Sequence, residues 1–327
     1  MSGSLDYRQS GVDIAAAENA LKKAKGFIQS TQGERVLGRF GAFSGVYDIG
    51  GISSNPLLVA SCDGVGTKLK LAFRTGRHDT IGQDLVNHCV DDILCCGARP
   101  LFFLDYLGIG KLTGEVFEGI VKGLAKACRE NGMALLGGET AEMPGMYSAG
   151  EYDLVGTIVG CVDRDNVIDG SRIEAGDAIV GLASTGLHTN GYSLAQKALF
   201  EIGDYQPEDM PEGLTHSLAD ELLQIHRSYK NLVFDLASGC DIRGIAHITG
   251  GGFEGNIPRA FPEGTGGEID TSAWEVPRIF SLIQAAGNVD RAEMYRVFNM
   301  GVGLVLMLPQ SDVDSVLKGC RERGVQA

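Results

Sequence analysis

Ser61-Cys62-Asp63-Gly64-Val65-Gly66-Thr67-Lys68 directly follows the apolar run Leu57-Leu58-Val59-Ala60. The run reads as a buried strand, so a carboxylate, two glycines and an ammonium sit where a strand opens into a loop. Glycines two residues apart let a ligand approach the backbone, while Asp63 offers a hard oxygen and Lys68 a compact positive charge. Together these suit a magnesium-bound polyphosphate. The octet reads equally as a strand-to-helix turn closed by a surface salt bridge, and the rest of the chain has to decide between the two.

Further acids lie downstream. Thr80 caps a helix running to about residue 96, with Ile81, Leu85, Cys89, Val90 and Ile93 on its buried side. Asp84, His88 and Asp91 follow at i, i+4 and i+7 on the opposite face, with Asp92 at its edge. Such a face is usually solvated, but one standing behind the Asp63 loop can also complete a metal site. Residues 101–106 form the next strand, and Thr113 caps a helix with Phe117, Ile120, Val121, Leu124 and Cys128 in one stripe, ended by Gly132. The short strand Ala134-Leu135-Leu136 then delivers Gly137-Gly138-Glu139-Thr140-Ala141-Glu142 as a glycine-bounded turn. Three strand ends carrying acids exceed what solubility asks for.

Upstream, Ile14, Ala17, Leu21, Ala24 and Ile28 mark a helix over residues 13–30 that leaves Lys22, Lys23 and Lys25 in solvent. Residues 38–45, glycine-spaced and aromatic, read as a mobile lid or as a plain surface loop.

A β-rich run at 153–162 has small residues where neighbours come close, and the polar stretch 163–170 after it sets a domain boundary between 168 and 169. The strand 178–183 runs into Ser184-Thr185-Gly186-Leu187-His188-Thr189-Asn190-Gly191-Tyr192-Ser193, a hydroxyl-rich helix start suited to an anion. His188 there is either a base or phosphate contact, or a histidine tied to the loop backbone. Residues 217–237 read as one long structural helix. Gly250, Gly252 and Gly255 have dinucleotide-type spacing, but no helix and strand follow within reach and Trp274 interrupts. A Rossmann unit is rejected, and the triple glycine is kept as a substrate-phosphate cradle beside Arg259. Residues 303–308 make a last buried strand, and Ser311 caps a helix to about residue 323.

The 327 residues, 44% hydrophobic with 47 glycines, fit a loop-rich enzyme of two domains. A net charge of −14 argues against nucleic acid or an anionic membrane as partner, because both need clustered cations. The eight cysteines form no C-x-x-C pair and read as reduced core thiols. Without an apolar leader in residues 1–9 or a membrane-length run, the expected location is the cytoplasm.

Six blocks in order, 61–68, 81–92, 100–106, 137–147, 184–193 and 247–259, resemble the aminoimidazole ribonucleotide synthetase (phosphoribosylformylglycinamidine cyclo-ligase) family. Gly-Gly-Glu-Thr-Ala-Glu-Met-Pro-Gly-Met-Tyr at 137–147 is among them. The resemblance implies ATP-dependent closure of formylglycinamidine ribonucleotide to aminoimidazole ribonucleotide in purine biosynthesis, with ADP and phosphate released. It implies an α+β fold of two domains, 1–168 and 169–327. The N-terminal sheet would pair with a second subunit into a β-barrel, giving a homodimer, and the C-terminal mixed sheet would be covered by helices. Position by position, it makes Lys25, Gly41, Asp63, Gly64, Lys68, Asp92 and Glu139 ATP residues, and Asp63, Asp92, Glu139 and Asp84 magnesium ligands. His188, Asn190, Gly250, Gly251, Gly252 and Arg259 would face the ribonucleotide. Lys25, Asp63 and His188 become the catalytic set, His188 without a definite proton-transfer role.

Two departures accompany the likeness. Asp91 stands where the family usually has Asn, and the family usually continues past residue 327 with a further strand, so the chain reads as shorter or truncated with its last sheet edge open. Among sister ATP users, a selenophosphate synthetase would want a cysteine before Cys62, and a thiamine monophosphate kinase gives no reason for the 247–259 block. A catalytically silent scaffold would instead bury Asp63 and Glu139 in salt bridges away from any cavity.

Overall fold

The computed structural model describes residues 14–37, 40–42 and 44–327. The N-terminal half contains α1 (Ile14–Gln29), β1 (Val36–Leu37), β2 (Val46–Tyr47), β3 (Pro56–Gly64), α2 (Lys68–Thr75), α3 (Ile81–Leu94), β4 (Arg99–Ile109), α4 (Gly114–Glu130), β5 (Ala134–Glu142) and β6 (Tyr152–Asp163). Strands β3-β6-β4-β5 form one mixed sheet, in which β4 and β5 run parallel across the α4 crossover. Of the expected lid at 38–45, positions 38, 39 and 43 lie outside the described residues, and the others connect the paired strands β1 and β2.

The sheet is covered on one face. Gly160 of β6 leaves room for α3, since a Cβ there would collide with Ile93 of that helix, and a Cβ at Gly156 would collide with the Phe103 ring and crowd Leu85 of α3. The strand at 57–60 is therefore not buried on both sides. Val59, Ser61 and Asp63 turn toward α3, while Leu58 on the open face is 61% exposed. Cys62 shares that face and is exposed, unlike the core thiol expected there, and all eight cysteines are free. Residues 137–142 continue β5 past an irregularity opposite Phe103 and Leu104, so Glu139 sits inside a strand and not on a turn.

The C-terminal half contains β7 (Ala178–Ala183), α5 (Tyr192–Gln196), α6 (Leu218–Leu222), α7 (Lys230–Ala237), β8 (Gly244–His247), α8 (Gly252–Asn256), α9 (Arg278–Gly287), α10 (Arg291–Val297), β9 (Val302–Leu308) and α11 (Val313–Glu322). β9 is central and wholly buried, pairing antiparallel with β7 and β8. The single helix expected over 217–237 is instead α6 and α7, separated by the non-helical segment 223–229.

Helix α3 lies between the halves. Its apolar side meets the sheet and α4, and its polar side, with Asp84, His88 and Asp91 all buried, meets the C-terminal half instead of solvent. No helix among the described residues is long and apolar enough to cross a membrane.

The α3–α4 crossing is close enough to need glycine. A Cβ at Gly82 would stand 2.4 Å from the Ile120 carbonyl oxygen and 2.5 Å from the Leu124 nitrogen, both backbone atoms that no rotamer change can move. Gly82→Ala is expected to destabilise the fold by about 1–3 kcal/mol through overpacking. Urea unfolding reads this as a lower midpoint at unchanged slope, and an unshifted midpoint would refute the close crossing.

Candidate active site

The break between α6 and α7 is where the polar face of α3 finds its partners. Gln224 O accepts from Lys68 Nζ at 2.7 Å, and the His226 N–H donates to Asp84 Oδ1 at 2.8 Å. Asn87 Nδ2 donates to His226 O at 2.7 Å, and the Tyr229 N–H donates to Asp91 Oδ1 at 2.9 Å. A continuous helix would consume these backbone groups internally, leaving buried carboxylates without donors.

Lys68 departs from its expected role. Its ammonium is fully buried, and its three N–H bonds go to Asp84 at 2.9 Å, His188 O at 3.1 Å and Gln224 O. Burial lowers the Lys68 pKa and raises that of Asp84, and their pairing offsets only part of each effect. Neither group is placed for a phosphate or a metal in this arrangement, because each already satisfies the other out of solvent.

Asp63 and Asp92 do come together. Asp63 Oδ2 accepts from His88 Nε2 at 2.7 Å and Oδ1 from the Gly64 N–H at 2.7 Å. Asp92 Oδ2 accepts from the Ser61 hydroxyl at 3.0 Å, and Oδ1 from His247 Nδ1 at 2.9 Å. Ligand atoms of Asp63, His88 and Asp92 lie within 4.8 Å of one another. Burial pushes both carboxyls up, but hydrogen bonds and charge from His88 at Asp63, and from His247 and His88 at Asp92, outweigh it and hold both below the usual range.

Four of the six histidines meet here. The two ionised carboxylates only accept, so His88 Nε2 and His247 Nδ1 must donate. His247, kept neutral by burial despite the Asp92 hydrogen bond, then accepts at Nε2 from His226 Nε2, 3.2 Å away. His226, neutral for the same reason of burial, accepts at Nδ1 from the Thr189 hydroxyl at 3.3 Å. The Thr189 oxygen in turn accepts from His88 Nδ1 at 2.6 Å. His88 thus donates from both nitrogens as an imidazolium. Burial disfavours that charge, but Asp63 and Asp92 outweigh the burial and raise its pKa. Asp91 Oδ2 lies 3.4 Å from His226 Nε2 without forming a hydrogen bond.

The substrate-side residues divide. A Cβ at Gly250 would stand 3.2 Å from Asn190 Oδ1, so the hydroxyl-rich loop and the glycine turn are neighbours. Gly252 needs its glycine, with φ +58° and the Tyr295 carbonyl occupying the space of a side chain. Asn256 Nδ2 ties the turn by donating to the carbonyls of Thr249, Gly250 and Gly252, and its Oδ1 accepts from Arg259, itself exposed. His188 does not face this cradle. It adopts φ +64°, is buried with its ring stacked 4.0 Å from that of His226, and accepts at Nε2 from the Thr185 N–H. One of its ring nitrogens is thus tied to the loop backbone.

Glu139 is not brought to the acids. It shares a register row with Tyr106, Val155 and Gly64, three strand spacings or about 14 Å across the sheet and on the face opposite Asp63. Lys25 is exposed on α1, its ammonium 5.4 Å from the Phe40 ring centroid, and Gly41 has φ +80° with open space beside it. Sequence reasoning missed Thr189, His226 and His247 as members of the site. His88 was visible through its helical spacing from Asp84 and Asp92, but nothing in the sequence paired it across the junction.

The sequence patterns of AIR synthase related protein match this chain over residues 43–162 for the N-terminal domain and 174–327 for the C-terminal domain. The chain belongs to the AIR synthase related family. Phosphoribosylformylglycinamidine cyclo-ligase of Bacillus cereus is 47% identical over 322 residues, covering 98% of this chain and 93% of that protein. The same-named protein of Geotalea daltonii is 49% identical over 314 residues, covering 96% and 90%. In fold, the chain is similar to a hydrogenase maturation protein HypE solved in complex with ATP, with TM-score 0.63, 17% identity and coverage of 96% and 83%.

Removing Lys68 alone isolates a buried carboxylate. Lys68→Met is expected to cost about 3–5 kcal/mol of stability, and adding Asp84→Asn, which keeps an acceptor for the His226 N–H, to restore much of that loss. Equal unfolding midpoints for the single variant and the unaltered protein would show that the pair is not buried as described.

Proposed function

We propose that the chain closes formylglycinamidine ribonucleotide to aminoimidazole ribonucleotide at the expense of ATP, releasing ADP and phosphate. The observation that carries this reading is the meeting of two ionised carboxylates, Asp63 and Asp92, beside the glycine turn. Gly250 lies three residues beyond His247, which bonds Asp92, so the chain keeps Gly250 within about 10 Å of the His247 backbone. The shared name of the curated relatives and the ATP complex of HypE support the same reading.

The donor set fits magnesium. Both carboxylates are ionised hard oxygen donors, and Asp63 is 47% exposed at its side chain, leaving room for water and a triphosphate. Asp63 and Asp92 would hold the ion, whose chemistry is to neutralise charge on the transferring phosphoryl group. The phosphoryl group passes from ATP to the formyl oxygen, breaking the bond to ADP. The amidine nitrogen then attacks the formyl carbon, the C–O bond breaks, phosphate leaves and the nitrogen loses a proton. In this scheme Asn190, the 250–252 turn and Arg259 seat the ribonucleotide, and the acids orient the nucleotide, so catalysis is mainly positioning and charge neutralisation.

A second copy of the chain would cover the open sheet face around Leu58, closing the two sheets into a barrel; apolar side chains on that face support the homodimer. The division between residues 168 and 169 and a cytoplasmic location complete the proposal.

Incubation with formylglycinamidine ribonucleotide and Mg-ATP is expected to give ADP and the aminoimidazole together. Asp63→Asn should lower both by about 10²-fold or more with the unfolding midpoint retained. Full activity in that variant would remove Asp63 from the site. Leu58→Glu should convert a dimer to a monomer in sedimentation, and an unchanged sedimentation coefficient would leave the open face without its proposed partner.

A further inference from the structure

The hydrogen bonds around Asp63 and Asp92 form one continuous chain, Asp63···His88···Thr189···His226···His247···Asp92, which donates outward from His88 in both directions. It crosses the domain junction twice. Asp63, His88 and Asp92 come from β3 and α3, whereas Thr189, His226 and His247 come from the 184–193 loop, the α6–α7 break and β8. Both ends are carboxylates, and the His88 nitrogen bonded to one lies 3.8 Å from the other, so the chain nearly closes on itself.

We propose that Thr189 is a positioning residue for phosphoryl transfer: its hydroxyl is the joint through which the loop carrying Asn190 sets the orientation of the histidines that hold Asp63 and Asp92. Thr189 touches no reacting atom in this scheme and acts through its neighbours. Its hydroxyl both accepts and donates, and among the described residues His88 Nδ1 and His226 Nδ1 have no other hydrogen-bond partner. Removing the hydroxyl takes away the partner of His88 Nδ1 and of His226 Nδ1, both on buried rings, so both rings are free to turn or change tautomer. The adjacent Asn190 lies against Gly250, so displacement of that residue by a seated ligand is transmitted by one peptide unit to the geometry of the two acids. This gives the ribonucleotide seat a mechanical hold on the nucleotide side, and it rests on the reading of the site given above.

Thr189→Ser keeps the hydroxyl and Thr189→Val keeps the shape. Histidine tautomers read by long-range ¹H–¹⁵N correlation on the full-length protein test the chain without any turnover. In the unaltered protein and Thr189→Ser, His247 should be protonated at Nδ1 and His226 at Nε2, and Thr189→Val should lose this fixed pattern. Kinetically, Thr189→Val should lower kcat about tenfold, the worth of one hydrogen bond, at a ribonucleotide KM within about twofold, and Thr189→Ser should recover it. Identical tautomers in all three proteins would overturn the proposal, as would a Thr189→Val enzyme with unaltered kcat. Absence of cyclisation by the unaltered protein would instead count against the proposed reaction, while the tautomer comparison still decides whether Thr189 sets the rings.

Discussion

Burial of the polar face of α3 is the constraint from which the rest of the structure follows. Asp84, His88 and Asp91 are out of solvent, and a buried charge without a partner costs several kcal/mol. The C-terminal half supplies those partners mostly as backbone groups, which requires an interrupted helix at 223–229, a left-handed residue at His188 and a lysine reaching across from α2. The two halves therefore meet through a polar seam, and the seam fixes where Asp63 and Asp92 stand.

Pairs in this seam have different uses. Lys68 and Asp84 are sealed and contribute shape, since burial opposes both charges and removal of either strands the other. Asp63 and Asp92 are also hydrogen-bonded but remain partly open, 47% and 25% exposed at their side chains, with the cationic His88 beside them. That contrast separates carboxylates that hold the fold from carboxylates that can meet a ligand. Residues spaced along one helix face thus do different chemistry, depending on which segment of the other half covers them.

Much of this was legible in the sequence. The strand before Asp63, helices α1, α3 and α4, the small residues of β6 and the rejection of a dinucleotide fold all followed from periodicity and spacing. The expected helix over 217–237 did not form, because periodicity reports side-chain burial and is blind to a carboxylate that needs a backbone donor from 142 residues away. For the same reason Lys68 looked like a phosphate ligand, since a lysine after a glycine loop has the same local pattern whether it meets phosphate or a buried aspartate. Glu139 was grouped with Asp63 because both follow strands in sequence, but alternation along paired strands puts them on opposite faces. His188 was left between two roles that only its burial could separate.

If α3 is the shared interior of both halves, neither half can open while the other stays folded. The single tryptophan, Trp274, stacks on Phe253 in the C-terminal half, far along the chain from α3, and its fluorescence reports that half alone. Native-state hydrogen exchange of the α3 amides should be measured against urea beside the Trp274 signal. The shared seam predicts one transition, with α3 exchanging at the midpoint where Trp274 is exposed. Exchange of α3 at markedly lower urea, with Trp274 still native, would contradict it.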